Sequence, residues 1–237
     1  VRYHACCALQ HNADRRAVEE LLEIVRSGDR NMRDKALSAL AVTGDPRAVK
    51  PVVDALSDPD QGMRRMACYG LVSTKSPQAF ELLVKMLKDP SEFVRSDAAE
   101  CLGLLKDPRA LDALRGVLTD PCWEARSSAA RALGRACRGK ALGSLKLALA
   151  DKDERVAAQA AWGLGDTGDR QAVEPLLLAL ADKRPYVRAA IVHALGNLGG
   201  SRSLAAVHGA LRDDSHRVRT AATDALKKIK AAQEKEK

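Results

Sequence analysis

Apolar residues recur along the chain with two superimposed periods, one of three to four residues and one of 31 residues. Segments such as PRAVKPVVDAL (46–56) and PSEFVRSDAAECLGLL (90–105) have apolar side chains at the spacing of one helix face. Similar segments return 31 residues later, so that VRAAIVHALGNLG from Val187 aligns with VAAQAAWGLGDTG from Val156. The pattern predicts a helical protein built from one repeated unit.

The register of the repeat is marked by an anchor residue with a leucine eight positions after it. The anchors are Val1, Met32, Met63, Val94, Ala125, Val156, Val187 and Val218, and the leucines run from Leu9 to Leu226. Arginine follows each anchor except Val156, where Ala157 stands. No insertion or deletion interrupts the series, which amounts to about seven and a half units.

Each unit carries signals for two helix starts. Asp or Ser followed by Pro predicts an N-cap residue and the first helical position. Such steps predict the first helix at 45–46, 76–77 and 107–108, and the second helix at 58–59, 89–90 and 120–121. Neither short helix can bury its apolar face alone, whereas stacked neighbours can. The predicted fold class is all-α, a right-handed α-solenoid, with residues 1–230 as a single array and 231–237 as a charged tail.

One motif within the unit connects the chain to a known family. Asp-Pro-x-x-Val-Arg-x-x-Ala-Ala-x-x-Leu-Gly is nearly complete as DPSEFVRSDAAECLG (89–103) and as DKRPYVRAAIVHALG (182–196). The chain therefore resembles the HEAT-repeat family, and most closely the short HEAT-like repeats of phycobilisome lyase subunits. The resemblance covers essentially all of residues 1–230. It implies that the second helices line a concave face and that the array is an interaction surface.

Composition agrees with this prediction and narrows the setting. Hydrophobic residues make up 46% of the chain and aromatic residues only 3%, which favours helices. The net charge of +8 is compatible with an acidic partner, but acidic and basic residues are interspersed. The six cysteines form no CxxC pair and have no histidine at zinc-finger spacing, which predicts free thiols in a reducing compartment. We expect a monomeric, soluble, cytoplasmic protein.

The usual signatures of catalysis and cofactor binding are weak or missing. GLGDTG (163–168) matches a phosphate-binding pattern, yet it closes a helix instead of following a strand, and we interpret it as a helix end. None of the five histidines precedes a glutamate, whereas deoxyhypusine hydroxylases of the HEAT fold hold di-iron with His-Glu pairs. No nucleophile signature is found either. We predict no enzyme, no cofactor and no metal site.

The recurring charged residues are interpreted as structural. An aspartate stands at a fixed position before six of the second helices, where it can cap that helix and pair with an arginine of its own or the adjoining unit. These aspartates are Asp58, Asp89, Asp120, Asp151, Asp182 and Asp213. Two rules fail together between the fifth and sixth units, because Arg138-Gly139 replaces Asp-Pro and Ala157 replaces the arginine. We expect a weak joint there.

The aromatic residues form the candidate binding site. Six of the seven lie on the second helix away from its core stripe, and only Phe80 occupies a core position of the first helix. Exposed rings serve as anchors for partners, although Phe93 and Tyr186 could simply pack on the neighbouring unit. Charged residues of both signs, including Glu100 and Asp224, share this face. The candidate partner-binding residues are Tyr3, Tyr69, Trp123, Trp162, Tyr186, Arg65, Arg131, Arg155 and His193.

These features predict a non-catalytic scaffold that holds a protein or peptide segment in its concave groove. Mixed charges on the face argue against a continuous phosphate track. The first alternative is sequence-independent nucleic-acid binding by a basic array, as in HEAT-like DNA glycosylases. The second is a bilin chromophore-lyase subunit, which only the repeat type suggests. No membrane partner is expected.

Overall fold

The computed structural model describes residues 17–27 and 29–235. All regular secondary structure in these residues is helical, and they contain no strand, as the sequence predicts. The chain divides into two compact units between Leu105 and Lys106. We refer to them as the amino-terminal unit (17–105) and the carboxy-terminal unit (106–235).

The amino-terminal unit consists of three helix pairs, in which first and second helices alternate. Its helices are α1 (Val18–Ser27), α2 (Arg30–Val42), α3 (Val49–Ala55), α4 (Gln61–Ser73), α5 (Ala79–Met86) and α6 (Glu92–Leu105). Each first helix packs on the second helix that follows it, and α4 packs on both α2 and α6. The second helices therefore form a continuous layer within this unit.

The carboxy-terminal unit repeats this arrangement with four pairs. Its helices are α7 (Leu111–Val117), α8 (Trp123–Cys137), α9 (Leu142–Ala148), α10 (Glu154–Asp166), α11 (Val173–Ala179), α12 (Pro185–Leu198), α13 (Gly200–Ala210) and α14 (His216–Lys235). The second helices α8, α10, α12 and α14 pack on one another in order. Short 3₁₀ turns precede α7, α9 and α11.

The predicted core positions are buried in the middle of the array. The leucines eight residues after the anchors are fully buried from Leu40 to Leu195, and so are the small residues four after the anchors. Leu226 is only half-buried, because no further second helix of the described chain packs on α14. The predicted repeat positions Val1, Arg2 and Leu9 lie outside the described residues.

The Asp-Pro steps act differently at the two helices. Before the first helix Asp45 accepts a hydrogen bond from the Arg47 amide, and Pro46 opens the 3₁₀ turn, as predicted. The predicted starts of the second helices are wrong by two residues, since α4, α6 and α8 begin after the proline and one further residue. Asp89, for example, accepts from the Ser91 amide at 2.9 Å. This aspartate therefore orders the turn and does not cap the helix.

Glycines near the ends of the second helices bring neighbouring helices into close contact. A Cβ atom at Gly134 would lie 2.5 Å from Gly163 Cα, and one at Gly196 would lie 2.6 Å from the Ala225 Cβ. The interpretation of 163–168 as a helix end is correct for Gly168, which follows α10 with φ +66°. Gly163 has a different role, because its missing side chain lets α10 approach α8.

The aspartates before the second helices pair with arginines of the preceding 31-residue repeat, which is one of the two predicted alternatives. Arg64 donates through Nε and Nη2 to both oxygens of Asp89 at 2.8 Å, and Arg126 holds Asp151 in the same way at 2.8 and 3.0 Å. The Nη1 atom of each arginine also donates to two carbonyl oxygens of the turn before its own helix. We refer to this series as the arginine ladder.

The ladder is not interrupted at Ala157, and that part of the weak-joint prediction is wrong. Arg184, which precedes α12, donates through Nη1 to the carbonyls of Asp151 and Lys152 at 2.9 and 3.2 Å. Its Nε and Nη2 atoms bind Asp182 at 2.9 and 2.7 Å. Arg184 thus reaches from the following 31-residue repeat to the carbonyls that an arginine at position 157 would bind.

The missing cap at the same joint is confirmed. Helix α8 continues to Cys137, and no side chain caps the 3₁₀ turn Arg138–Ala141 that follows. Arg138 has φ +43°, a backbone conformation that is unfavourable for a residue with a side chain. The second helices α8 and α10 are nevertheless joined by the Arg126–Asp151 pair and by the approach of Gly134 to Gly163. The local turn is irregular while the helix packing around it is retained.

Candidate functional site

In the amino-terminal unit the predicted residues Arg65 and Tyr69 on α4 meet Asp97 on α6. Arg65 Nε donates to Asp97 Oδ2 at 2.6 Å, and the Tyr69 hydroxyl donates to Asp97 Oδ1 at 3.1 Å. The same hydroxyl lies 3.4 Å from Glu100 Oε2, and the Arg65 guanidinium lies 5.6 Å from the centroid of the Phe93 ring. We refer to these five residues as the Arg65 cluster.

The polar ends of this cluster are already used within the protein. Burial, followed by the negative charges of Asp97 and Glu100, raises the pKa of Tyr69 well above its ordinary value, so the hydroxyl stays protonated as a donor. Tyr69 is half-buried, while the Phe93 ring is 43% exposed. Arg65 and Tyr69 therefore join α4 to α6, and Phe93 is the more accessible apolar group.

In the carboxy-terminal unit Trp123 and Arg155 are brought together across α8 and α10. The Arg155 guanidinium carbon lies 3.2 Å from the centroid of the Trp123 ring. Arg155 also donates to both oxygens of Asp153 at 2.9 and 2.7 Å. This hydrogen bonding lowers the pKa of Asp153 to about 2. One face of the indole is covered, and the positive charge above it is paired with a carboxylate.

In the same unit a pair of aromatic residues, Trp162 and Tyr186, borders an open cleft between α10, α12 and α14. The two rings meet edge to face, with centroids 6.0 Å apart and planes at 88°. The cleft has a volume of about 380 Å³. We refer to it as the aromatic cleft. Its lining residues are Trp162, Tyr186, Ala189, Ala190, His193, His216, Arg217, Thr220 and Ala221.

Two of the residues on the rim of this cleft, Arg217 and His216, are absent from the sequence-based prediction. Arg217 lies 5.2 Å from the centroid of the Tyr186 ring and makes no ion pair with any described residue. It stands one position before its anchor, as Tyr186 and Phe93 do. That shared repeat position is the signal in the sequence that points to Arg217. The predicted His193 lies on the rim, exposed, on α12.

The remaining predicted site residues lie outside the cleft. Arg131 is half-buried on α8, at the repeat position that Trp162 and His193 occupy on the next two second helices. Tyr3 lies outside the described residues. Apart from Arg131 and Tyr3, the predicted residues are assembled in three places: the Arg65 cluster, the pair of Trp123 and Arg155, and the aromatic cleft.

A second exposed apolar surface escaped the sequence analysis. Leu147 on α9 is 78% exposed and Leu178 on α11 is 70% exposed. The two residues are 31 positions apart, so they occupy the same repeat position on successive first helices. They provide a natural comparison for the aromatic cleft, because they belong to the same unit but to the other set of helices.

Metal clusters, membrane-spanning helices and reactive thiols are other features that can mark a functional site. Residues 17–27 and 29–235 contain no group of three or more His, Cys, Asp or Glu side chains placed to hold a metal ion. No helix in these ranges is long and apolar enough to cross a membrane. Burial raises the pKa of the Cys68 thiol to about 12, and burial also raises the pKa of the Cys101 thiol. These thiols are poor nucleophiles.

Comparison with known families agrees with the repeat architecture. A family model of HEAT repeats matches residues 1–61, 49–134 and 143–227. The chain belongs to the HEAT-repeat family. Its fold is of the helical solenoid class that the 31-residue period predicts. A search of curated proteins found no match to this HEAT-repeat chain.

Several solved structures resemble this HEAT-repeat protein at 22% sequence identity. The YibA protein of Escherichia coli has a TM-score of 0.64, with 95% of this chain and 85% of that chain covered. The complex of CpcE and CpcF of phycocyanin lyase from Nostoc sp. PCC7120 has a TM-score of 0.60, with coverages of 90% and 94%. An engineered protein has a TM-score of 0.54, with coverages of 90% and 68%. At this identity the likeness is one of fold.

Proposed function

We propose that this HEAT-repeat protein is a non-catalytic scaffold that binds a segment of a protein partner on the second helices of its carboxy-terminal unit. The observation that carries the proposal is the aromatic cleft, where Trp162 and Tyr186 stand beside the unpaired charge of Arg217. Aromatic and arginine side chains supply most of the binding energy at protein interfaces. Both rings are half-buried, so each is held in place and still offers apolar surface.

The other predicted residues have supporting roles in this proposal. Trp123 and Arg155 extend the apolar and polar surface beside the cleft along α8 and α10. In the amino-terminal unit, Phe93 offers a second contact, while Arg65 and Tyr69 hold its surroundings in place through Asp97. We therefore expect the partner segment to contact a few aromatic rings that are held in place by their neighbours, while charged side chains beside them set its orientation.

The distribution of charge favours a protein over a nucleic acid. A phosphate track requires several unpaired cationic side chains, because affinity comes from neutralising successive phosphates. Arg65 is paired with Asp97, and Arg155 is paired with Asp153. The lyase alternative has support from fold likeness alone, through the complex of CpcE and CpcF.

Affinity capture from an extract of the source cell tests the proposal. Three baits are compared: the native protein, a cleft variant with Trp162→Ala and Arg217→Glu, and a first-helix variant with Leu147→Ala and Leu178→Ala. We expect the native bait and the first-helix variant to retain the same protein and the cleft variant to lose it. Retention should survive nuclease treatment and moderate salt.

The first-helix variant makes the test decisive. It removes two large exposed apolar side chains from the same unit, so it controls for a general loss of surface hydrophobicity. Circular dichroism melting checks that all three baits are folded. If only the first-helix variant lost the partner, the docking surface would lie on α9 and α11 instead of in the cleft. Capture that disappears with nuclease would favour the nucleic-acid alternative instead.

A further inference from the structure

The walls and floor of the aromatic cleft define what kind of group can enter it. Trp162 and Tyr186 form the walls, and three alanines on α12 and α14 form a floor without large side chains. Such a surface favours an apolar group, because it offers apolar area and few hydrogen-bonding partners in its base. With a volume of about 380 Å³, the cleft has room for a side chain and the backbone beside it.

The orientation of the rings argues against a nucleic-acid base as the occupant. Bases bind single-stranded nucleic-acid proteins by stacking on aromatic faces along a cationic groove. Here the two rings meet at 88°, so they do not offer parallel faces to successive bases. Because the two rings already contact each other, the geometry suits an aliphatic or aromatic side chain that packs against the pair from the open side of the cleft.

The rim of the cleft has a charge pattern that selects the flanking residues of the occupant. Arg217 and His216 lie on α14, and His193 lies opposite on α12, so both sides of the opening carry potential donors. No carboxylate is among the lining residues of the cleft. Asp213 and Asp214, just before α14, are both paired with Arg188, and Asp224, two turns beyond Arg217 on α14, has Lys227 at 3.5 Å. An acidic segment therefore complements this rim.

We propose that the aromatic cleft receives an apolar side chain from an internal acidic segment of the protein partner, with a neighbouring Asp or Glu paired to Arg217. This inference rests on the proposed function and specifies the partner's chemistry. Arg217 is suited to the role because its guanidinium lies beside Tyr186 without an ion pair of its own. The apolar side chain supplies contact area, and the carboxylate fixes the direction of the segment.

A single-tryptophan protein gives a direct readout of the cleft. The chain has two tryptophans, so Trp123→Phe leaves Trp162 as the only one. This protein is titrated with a pool of acetyl-EEXXEE-amide peptides, in which X is Leu, Ile, Phe or Met. The matched probes are the acetyl-KKXXKK-amide pool, acetyl-EEGGEE-amide and a short oligothymidylate. Trp162 emission is followed in each titration.

We expect the acidic apolar pool to change the Trp162 emission in a saturable way. The lysine pool and the glycine peptide should bind at least about tenfold more weakly, and Arg217→Glu should weaken the acidic pool by a similar factor. Equal binding of the lysine pool, preferred binding of oligothymidylate, or no response to the acidic pool would each overturn the assignment. If the capture experiment succeeds while this titration fails, the scaffold stands and only the acidic-segment inference is lost.

Discussion

At the scale of single residues, Ser203 shows how one departure from the repeat leaves a group without a partner. Its side chain on α13 is fully buried, and its hydroxyl has no hydrogen-bond partner among the described residues. The equivalent residues 31, 62, 93 and 124 positions earlier are all buried alanines: Ala172, Ala141, Ala110 and Ala79. A buried hydroxyl without a partner costs about 1–3 kcal/mol. The position is therefore built for a side chain without a polar group.

We expect Ser203→Ala to raise the free energy of unfolding by about 1 kcal/mol, because it removes an unpaired hydroxyl and creates only a small gap. Urea denaturation measures the change. Ser144 on α9 is the matched control, since it is also buried but accepts a hydrogen bond from Arg115 Nε at 3.1 Å. Ser144→Ala should lower stability. An equal loss in both variants would mean that Ser203 has a partner after all.

Arg184 supplies a second prediction at the residue scale. Replacing it with alanine removes hydrogen bonds to Asp182 and to two carbonyls of the preceding turn, and should cost roughly 1–2 kcal/mol. Adding Ala157→Arg to that variant should restore much of the loss, because the regular ladder position is then filled. Ala157→Arg alone should destabilise, since two guanidinium groups would compete for the same acceptors.

Urea denaturation of the four proteins in a double-mutant cycle measures this coupling. Arg202→Ala serves as the control, because Arg202 pairs with Glu174 where both side chains are mostly exposed, and it should change stability by less than about 1 kcal/mol. Simple addition of the Arg184 and Ala157 effects would show that the two positions do not share a role.

At the scale of helices, most second helices end in an unusual backbone conformation. The residue twelve positions after the anchor has positive φ in five repeats, where it is glycine (Gly44, Gly168, Gly199) or lysine (Lys75, Lys106). At the end of α8 the positive φ falls one position later, at Arg138. Gly168 has φ +66°, while Lys75 has φ +51°. A residue with a side chain pays about 1–2 kcal/mol for this conformation, whereas glycine does not.

We expect Gly168→Lys to lower the free energy of unfolding by about 1 kcal/mol. Nothing lies within 4 Å of a Cβ atom at this position, so the effect should come from the backbone alone. Lys75→Gly should have the opposite sign and a smaller size, because glycine also gains entropy in the unfolded chain. Thermal and urea unfolding of the two variants give the comparison. Destabilisation by Lys75→Gly as large as that by Gly168→Lys would contradict the argument.

At the scale of the whole molecule, the repeat explains what the sequence could predict and what it could not. The buried leucines and the arginine ladder follow from positions that recur every 31 residues, so they were predictable. Arg184 was not, because it replaces a missing arginine from a different position in the next unit. The contact of Arg217 with Tyr186 was missed for a similar reason. Periodicity identifies equivalent positions, but it does not tell which side chains of adjacent repeats meet.

The ladder also makes the stability of the molecule depend on pH. Hydrogen bonds from Arg188 lower the pKa of Asp213 to about 2, and those from Arg184 lower the pKa of Asp182. At Asp89 burial opposes ionisation, but hydrogen bonds from Arg64 and the Ser91 amide outweigh it and lower the pKa. A carboxylate with a lowered pKa stabilises the folded state above its unfolded pKa of about 3.9, and this contribution is lost as the pH falls through the folded value.

We therefore expect the free energy of unfolding to fall as the pH is lowered from about 5 to about 2, with Asp213 contributing about 1 kcal/mol of the fall after solvent screening. Arg188→Gln isolates one member, because it removes the hydrogen bonds that lower the pKa of Asp213. This variant should be less stable at neutral pH and should lose less stability on acidification. Urea denaturation across this pH range measures both slopes. The variant also carries one positive charge fewer, so Arg202→Gln, at the exposed pair with Glu174, is the charge-matched control. If both variants lost the same stability on acidification, Asp213 would not contribute to the pH dependence.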